Sequence, residues 1–391
     1  MIVKKGSARV DRVSPFYVMD IMSRAKTLES KGRHIVHMEV GEPDFSTPQP
    51  IVDAGVDFLK KGDVHYTEAQ GLLALREKIA EFYTQQYNVK VSPERIFITP
   101  GASGALTVAL ATLIDAGDDV LMAAPGYPCN SNLIGLLGGV SCFIEASEDD
   151  NFQLNAASIA SAWGDCTRGV MLASPSNPVG SMVDGETLKE IIQTIDERNG
   201  FLISDEIYHG LVYEERAVSA LEFSDDVFVI NSFSKFFGMT GWRLGWVIVP
   251  EHAMGAANRL MQNLFIAAPT HSQFAALAAF SGETKDILLQ RCDEFKQRRD
   301  VLYDGLIELG FKVPVNPEGA FYIYADCSAF TNDSYAFALD LLEQVGVAVT
   351  PGLDFGMTYA ERYLRFAYTT SIEEIKQGLE QLALYIDSRA K

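Results

Sequence analysis

The stretch Asn231-Ser-Phe-Ser-Lys-Phe-Phe-Gly-Met-Thr-Gly-Trp-Arg-Leu-Gly-Trp246 follows the apolar run Val227–Ile230 and leads into a second one, Leu244–Val249. Each run has the length and β-branched content of a buried strand. Ser232, Ser234 and Lys235 therefore sit just past a strand end, where open α/β sheets bind their ligands. Arg243 comes shortly after, in a segment punctuated by Gly238, Gly241 and Gly245. A lysine, an arginine and serines so placed can hold a phosphate and leave one amine for chemistry. An amine desolvated beside fixed cations loses its proton more easily and becomes a nucleophile toward an aldehyde. A surface lysine after a core strand is the competing reading of the stretch alone, and the rest of the chain decides between them.

Outward from that stretch, strand-like runs recur at Arg95–Thr99, Asp119–Pro125, Val140–Ile144, Gly169–Ser174 and Phe201–Ser204, several alternating with helical stretches such as Gly185–Arg198. This is the βαβ pattern of a largely parallel sheet covered on both faces. The residues just past the strand ends are polar or aromatic: Gly126-Tyr-Pro, Pro175-Ser-Asn-Pro-Val-Gly, Asp205-Glu-Ile-Tyr-His-Gly and Ser232-Phe-Ser-Lys. If those ends converge, they line one pocket. The turn Pro100-Gly-Ala-Ser-Gly104, between a strand and an apolar helix at Ala105–Ile114, aims free backbone N–H groups and a positive helix end at an anion. After Pro250 the pattern changes to long helices, and from Phe311 onward short strands mix with helices. This predicts a smaller α+β domain, into which the N-terminal segment, with its strand-like Ile35–Val40, folds back.

Composition narrows the function. The 391 residues suit one large domain and a smaller one, and 48% apolar with 21% charged residues is ordinary for a globular enzyme. A formal charge of −20 argues against nucleic acid or an anionic membrane as partner. The five cysteines are scattered without C-x-x-C or zinc-ligand spacing, so no metal site is expected and the thiols read as reduced. There is no apolar signal core or bilayer-length apolar run, which makes a cytoplasmic location the expectation. The sequence lacks the H-E-x-x-H pair of metallohydrolases and the P-loop signature.

In chain order the pocket candidates are Gly41, Tyr66, Ala102, Ser103, Tyr127, Asn177, Asp205, Tyr208, Ser232, Lys235, Arg243 and Arg365. Their segments are Gly41-Glu-Pro-Asp-Phe, Tyr66 with Gly71, Thr99-Pro-Gly-Ala-Ser-Gly, Pro125-Gly-Tyr-Pro, Ser174-Pro-Ser-Asn-Pro-Val-Gly, Ser204-Asp-Glu-Ile-Tyr, Ser232-Phe-Ser-Lys with Gly241-Trp-Arg-Leu-Gly, and Leu364-Arg-Phe. In that order the chain resembles a class I/II aminotransferase of the aspartate-aminotransferase fold, pyridoxal-phosphate fold type I, over almost its whole length. The resemblance implies an α/β fold: a mixed, mostly parallel sheet flanked by helices in a large cofactor-binding domain, with a smaller α+β domain. The expected division is 1–45 as N-terminal arm and part of the small domain, 46–282 as the large domain, and 283–391 as the small C-terminal domain.

The resemblance also implies roles. Lys235 would carry pyridoxal 5′-phosphate as a Schiff base and then shuttle a proton. Asp205 would pair with the pyridinium nitrogen and keep the ring electron-withdrawing. Tyr208 and Asn177 would hydrogen-bond the 3′ oxygen, and Tyr127 would stack on the ring. The phosphate would be held by the backbone N–H groups of Ala102 and Ser103, by Ser232 and Arg243, and by Tyr66 from the other subunit of a homodimer. Arg365 would clamp the substrate α-carboxylate, helped by Asn177 and the Gly41 backbone. Phe16, Tyr17, Phe321 and His209 read as packing, and Ser234 has no assigned role.

The reaction so implied moves an amino group between an L-amino acid and a 2-oxo acid such as 2-oxoglutarate. Family members that take dicarboxylates need a second cation, and Gln262–Thr270, where some place an arginine, has none. A neutral donor such as alanine or a larger apolar amino acid is expected. Two other classes use the same residues: a lyase of the same fold, cleaving a C–S bond or closing a cyclopropane ring, and a non-catalytic regulator that binds the cofactor. Release of ammonia or a thiol without an oxo-acid acceptor would mark the first, and an attached DNA-binding module the second.

Overall fold

The structure, a computed structural model, describes residues 6–389 apart from Ala8 and Met357. The expected outer limits Met1 and Lys391 lie outside the described residues. Among the described residues, twelve strands in chain order are β1 Val36–His37, β2 Ile96–Thr99, β3 Asp119–Ala124, β4 Val140–Glu145, β5 Thr167–Ala173, β6 Phe201–Asp205, β7 Phe228–Ser232, β8 Gly245–Ile248, β9 Tyr322–Asp326, β10 Val347–Ala348, β11 Thr350–Pro351 and β12 Tyr363–Ala367.

Seven of them form one sheet in the order β2-β8-β7-β6-β5-β3-β4. Every pairing from β7 across to β4 is parallel, and β8 runs against both β2 and β7. The alternation of side chains across a pleat explains why these strands read as continuous apolar runs. Val170 and Leu172 of β5 join one core, whereas Met171 between them joins the other. Leu202 and Ile203 of β6, and Val229 and Ile230 of β7, divide in the same way. Helices Leu73–Tyr87 and Gly185–Asp196 cover the first face; Gly101–Leu113, Pro128–Leu137 and Met254–Leu264 cover the second.

A third core gathers β9, β10 and β12 with the helices Gly282–Glu308, Ser334–Asp340 and Ile372–Arg389, and β9, β12 and β11 form an antiparallel sheet. The N-terminal helix Tyr17–Glu29 packs there through Ile21 and Ala25, and β1 pairs in parallel with β10, Val36 opposite Val347. The expected boundary at residue 282 falls on the first residue of the 27-residue helix Gly282–Glu308.

Several elements differ from the reading of the sequence. The strand expected at Ile35–Val40 forms only at Val36–His37, because the chain then departs from β10 toward the sheet ends. The helix expected from Ala105 begins at Gly101, so Ala102 and Ser103 lie inside its first turn. Gly245 lets β8 approach that turn: a Cβ there would stand 2.8 Å from the Gly101 carbonyl carbon and 2.9 Å from the Ala102 nitrogen. Pro128–Leu137 and Ala156–Ala162 are helices with no counterpart in the sequence reading, since short polar or alanine-rich segments carry little periodic signal.

Leu302, fully buried in the third core, tests whether that core unfolds by itself. Leu302→Ala should cost about 2–5 kcal/mol. Amide exchange at β9 and β12 should accelerate, while β5, β6 and β7 keep their protection. Equal acceleration in both sheets would mean one cooperative unit instead of two.

Candidate functional site

Lys235 leaves the end of β7 and is the centre of the site. Its Nζ donates to the carbonyl oxygen of Gly41 at 2.7 Å and lies 5.9 Å from the ring centre of Tyr208 and 5.4 Å from that of Phe321. Burial lowers its pKa to about 8; Arg365 and Arg243 push the same way, against Glu42 and Asp205. The amine is therefore far closer to its neutral, nucleophilic form at physiological pH than a surface lysine.

Asp205 ends β6, the neighbouring parallel strand, and is buried. Burial raises its pKa to about 7, opposed by the Ile207 N–H, which donates to Oδ1 at 3.3 Å, and by Lys235. No other hydrogen bond reaches its carboxylate among the described residues. A buried acid so poorly satisfied is suited to a cationic N–H partner. Three residues on, the Tyr208 hydroxyl meets that of Tyr322 at 3.1 Å, and burial holds the Tyr208 phenol well above its usual pKa.

Arg365 stands mid-strand in β12, opposite Thr350 and Tyr324, and is almost fully buried. One terminal nitrogen donates to Asn177 Oδ1 at 2.9 Å; the other donates to the Glu39 carbonyl at 2.6 Å and to Thr350 Oγ1 at 3.2 Å. Its Nε is buried and has no partner among the described residues. The guanidinium lies 4.3 Å from the ring centre of Tyr322 and 4.8 Å from that of Phe355. Since Asn177 must accept from the arginine through oxygen, its amide nitrogen faces elsewhere and has no protein acceptor among the described residues.

The end of the site beside Arg243 is built by the start of Gly101–Leu113. Its first N–H groups have no helical acceptors, and a Cβ on Gly101, at φ +73°, would come within 2.6 Å of an Arg243 terminal nitrogen. Arg243 itself has φ +54° and donates to the Thr240 carbonyl at 3.0 Å. The Ser232 hydroxyl accepts the Ser234 N–H at 3.0 Å and donates to the Leu244 carbonyl at 3.3 Å, so Ser234 closes the turn that carries Lys235.

Gly41, Asn177, Asp205, Tyr208, Ser232, Lys235, Arg243 and Arg365 thus gather around one centre, with Tyr127 capping the start of Pro128–Leu137 near Phe16, ring centres 6.3 Å apart. Tyr66 stands apart: it is 78% exposed on this chain. His209 is buried and neutral, its pKa lowered to about 3 by burial, with Tyr87 Oη at 3.1 Å from Nδ1. Tyr322 and Thr350 were missed in the sequence, although strand alternation in Phe321-Tyr-Ile-Tyr would have put Tyr322 and Tyr324 on one face. Among the described residues there is no cluster of metal-ligating side chains, and no helix is long and apolar enough to cross a membrane.

A part-buried amine of lowered proton affinity, an under-satisfied acid, an orphaned arginine nitrogen and a helix start backed by arginine fit a flat, anionic cofactor carrying an aldehyde, a ring nitrogen and a phosphate. Comparison with known proteins agrees. Residues 33–382 match the family model for aminotransferase class I and II. The chain is 42% identical over 384 residues to the (5-formylfuran-3-yl)methyl phosphate transaminase of Methanocaldococcus jannaschii, covering 97% of this chain and 99% of that protein. It is 36% identical over 379 residues to the valine–pyruvate aminotransferase of Mycobacterium tuberculosis, covering 96% and 97%. The crystal structure of an aminotransferase from Mycobacterium tuberculosis superposes with a TM-score of 0.96 at 36% identity, over 99% of this chain and all of that one. Because the match runs through the large sheet, the strand-end loops and the third core alike, the whole chain belongs to the class I and II aminotransferases, which work with pyridoxal phosphate.

Proposed function

We propose that Lys235 is the covalent anchor and the proton carrier of a transaminase that takes a neutral L-amino acid as donor and a 2-oxo acid such as 2-oxoglutarate as acceptor. The observation that carries this reading is the part-buried amine of Lys235, held by the Gly41 carbonyl among Asp205, Tyr208 and Arg365. Pyridoxal phosphate, when bound, supplies an aldehyde for that amine and a ring that accepts electrons from the substrate carbon. Asp205 would hold a proton on the ring nitrogen, Tyr208 and Asn177 would bind the 3′ oxygen, and Tyr127 would lie against the ring. Ser232, Arg243 and the N–H groups of Ala102 and Ser103 would hold the phosphate. Arg365, with Asn177 and the Gly41 backbone, orients the substrate carboxylate, for which its unpartnered Nε offers a further donor.

Neutral specificity is supported by the arginine-free stretch Gln262–Thr270 and by the relative named for valine and pyruvate. The relative named for a phosphate-bearing aldehyde shows how far substrates diverge at 42% identity. The 78% exposed Tyr66 favours a homodimer in which that hydroxyl serves the partner's phosphate site. The cytoplasm suits a chain with no membrane-length helix among its described residues.

The neutral amine is the nucleophile, so the rate at which cofactor-free protein captures pyridoxal phosphate covalently should rise with pH through about 8 and level off above it. Lys235→Ala should bind the cofactor reversibly and convert no substrate. A midpoint near the ordinary lysine value would refute the desolvated-amine reading.

Amino acids added singly to the loaded enzyme should bleach its visible band, with alanine, valine or leucine ahead of aspartate. Faster turnover of aspartate would overturn the neutral assignment. Arg365→Met should raise KM for the donor about 10–100-fold, the size of a lost charge-assisted hydrogen bond, with cofactor affinity unchanged.

Subunit mixing tests the dimer. Lys235→Ala and Tyr66→Ala chains, each impaired, should regain activity when unfolded together and refolded, up to about a quarter of wild type, the statistical share of intact sites in a dimer. No recovery would put Tyr66 in its own chain's site or in none.

A further inference from the structure

Tyr322 has no role so far, yet it touches three of the groups named above. Its hydroxyl lies 3.1 Å from that of Tyr208, and its ring centre is 4.3 Å from the guanidinium carbon of Arg365. A Cβ on Gly41 would stand 1.8 Å from its hydroxyl oxygen, so residue 41 can pass there only without a side chain. The residue is buried in β9, and strand alternation puts it on the face of Tyr324, which pairs with Arg365.

We propose that Tyr322 is a positioning residue whose hydroxyl donates to Tyr208, so that the Tyr208 proton is free for the cofactor's 3′ oxygen and the positive charge of Arg365 is felt there. The inference rests on the reading of Tyr208 and Arg365 given above. Each phenol has one proton, and only one of the two can lie between the oxygens. When an oxyanion sits beyond Tyr208, the favourable arrangement is Tyr322 to Tyr208 to oxyanion, each bond polarising the next. The guanidinium over the Tyr322 ring makes that phenol a better donor; burial raises its pKa, while Arg365 and Tyr208 act in the opposite direction. The other groups acting on the pair are Tyr127 and, 5.9 Å from the Tyr208 ring centre, the Lys235 amine with Asp205 behind it.

Tyr322→Phe removes the hydroxyl and leaves the ring beneath Arg365 and against Gly41. A weaker bond to the 3′ oxygen should raise the proton affinity at the lysine–cofactor centre. The pH midpoint of the visible absorbance band should therefore move up by roughly 0.5 to 1 pH unit, the size of one net hydrogen bond. Thermal unfolding of the loaded protein should be unchanged within a few degrees, which separates this effect from loss of fold. Tyr208→Phe should raise the midpoint at least as far, and the double variant no further than Tyr208→Phe alone. An unmoved midpoint in Tyr322→Phe beside a shifted one in Tyr208→Phe removes the relay and leaves the reading of Tyr208 intact. An unmoved midpoint in Tyr208→Phe removes that reading and the relay with it. Additive shifts in the double variant would mean that the two hydroxyls act separately, which also overturns the proposal.

Discussion

Lys235 Nζ meets the Gly41 carbonyl oxygen at 2.7 Å in a part-buried place, and most of the architecture serves to make that contact possible. Withdrawing an ammonium from water costs several kcal/mol even after relaxation. Part of that cost is offset by the Gly41 carbonyl and the faces of Tyr208 and Phe321; the rest remains as a lowered proton affinity. The carbonyl comes from the N-terminal segment, Lys235 from the end of β7, Tyr208 from beyond β6, and Phe321 from just before β9. The amine is desolvated only when segments from both ends of the chain have closed over the sheet.

Closure at this point depends on residues that are small or absent as side chains. Gly41 passes the Tyr322 hydroxyl, Gly101 lies under the Arg243 guanidinium, and Gly245 lets β8 touch the first turn of Gly101–Leu113. These approaches bring backbone N–H groups and arginines to the same small volume, where a side chain at any of the three would separate them. Arg365 is fixed differently, by Asn177, Thr350 and the Glu39 carbonyl, with two aromatic rings beside its guanidinium. A guanidinium held by that many partners has little rotational freedom left to lose on binding a ligand.

The sequence made the large sheet legible because its central strands are buried on both faces and read as unbroken apolar runs, whereas the edge strand β4 is largely exposed; the residues just past the central strand ends were visible for the same reason. Asp205, Tyr208, Ser232 and Lys235 could be found this way. Arg365 could be placed only by resemblance, since a lone arginine in an apolar run does not say which way it points. Tyr322 and Thr350 escaped because their nearness to Arg365 depends on the register of β9, β11 and β12, which local sequence does not encode. Tyr66 shows the opposite limit. Its motif is plain in the sequence, but one chain leaves it in solvent.

Asp205 and Glu206 make the same point at closer range. Both are buried acids with raised pKa values, to about 7 and about 8, and burial is the main cause in each. Glu206 is nonetheless fully engaged: it accepts from the hydroxyls of Ser204 and Ser219 and from the Ala220 N–H, with the neutral His209 at 3.4 Å. Asp205 accepts one long bond from Ile207 N–H. A perturbed pKa alone would rank the two acids together, whereas the hydrogen-bond inventory separates them. Glu206 has spent its acceptors on the protein and holds the turn after β6 in place. Among the described residues the open capacity at this site lies with Asp205, Asn177 Nδ2 and Arg365 Nε, one acceptor beside two donors, all in the place where Lys235 projects.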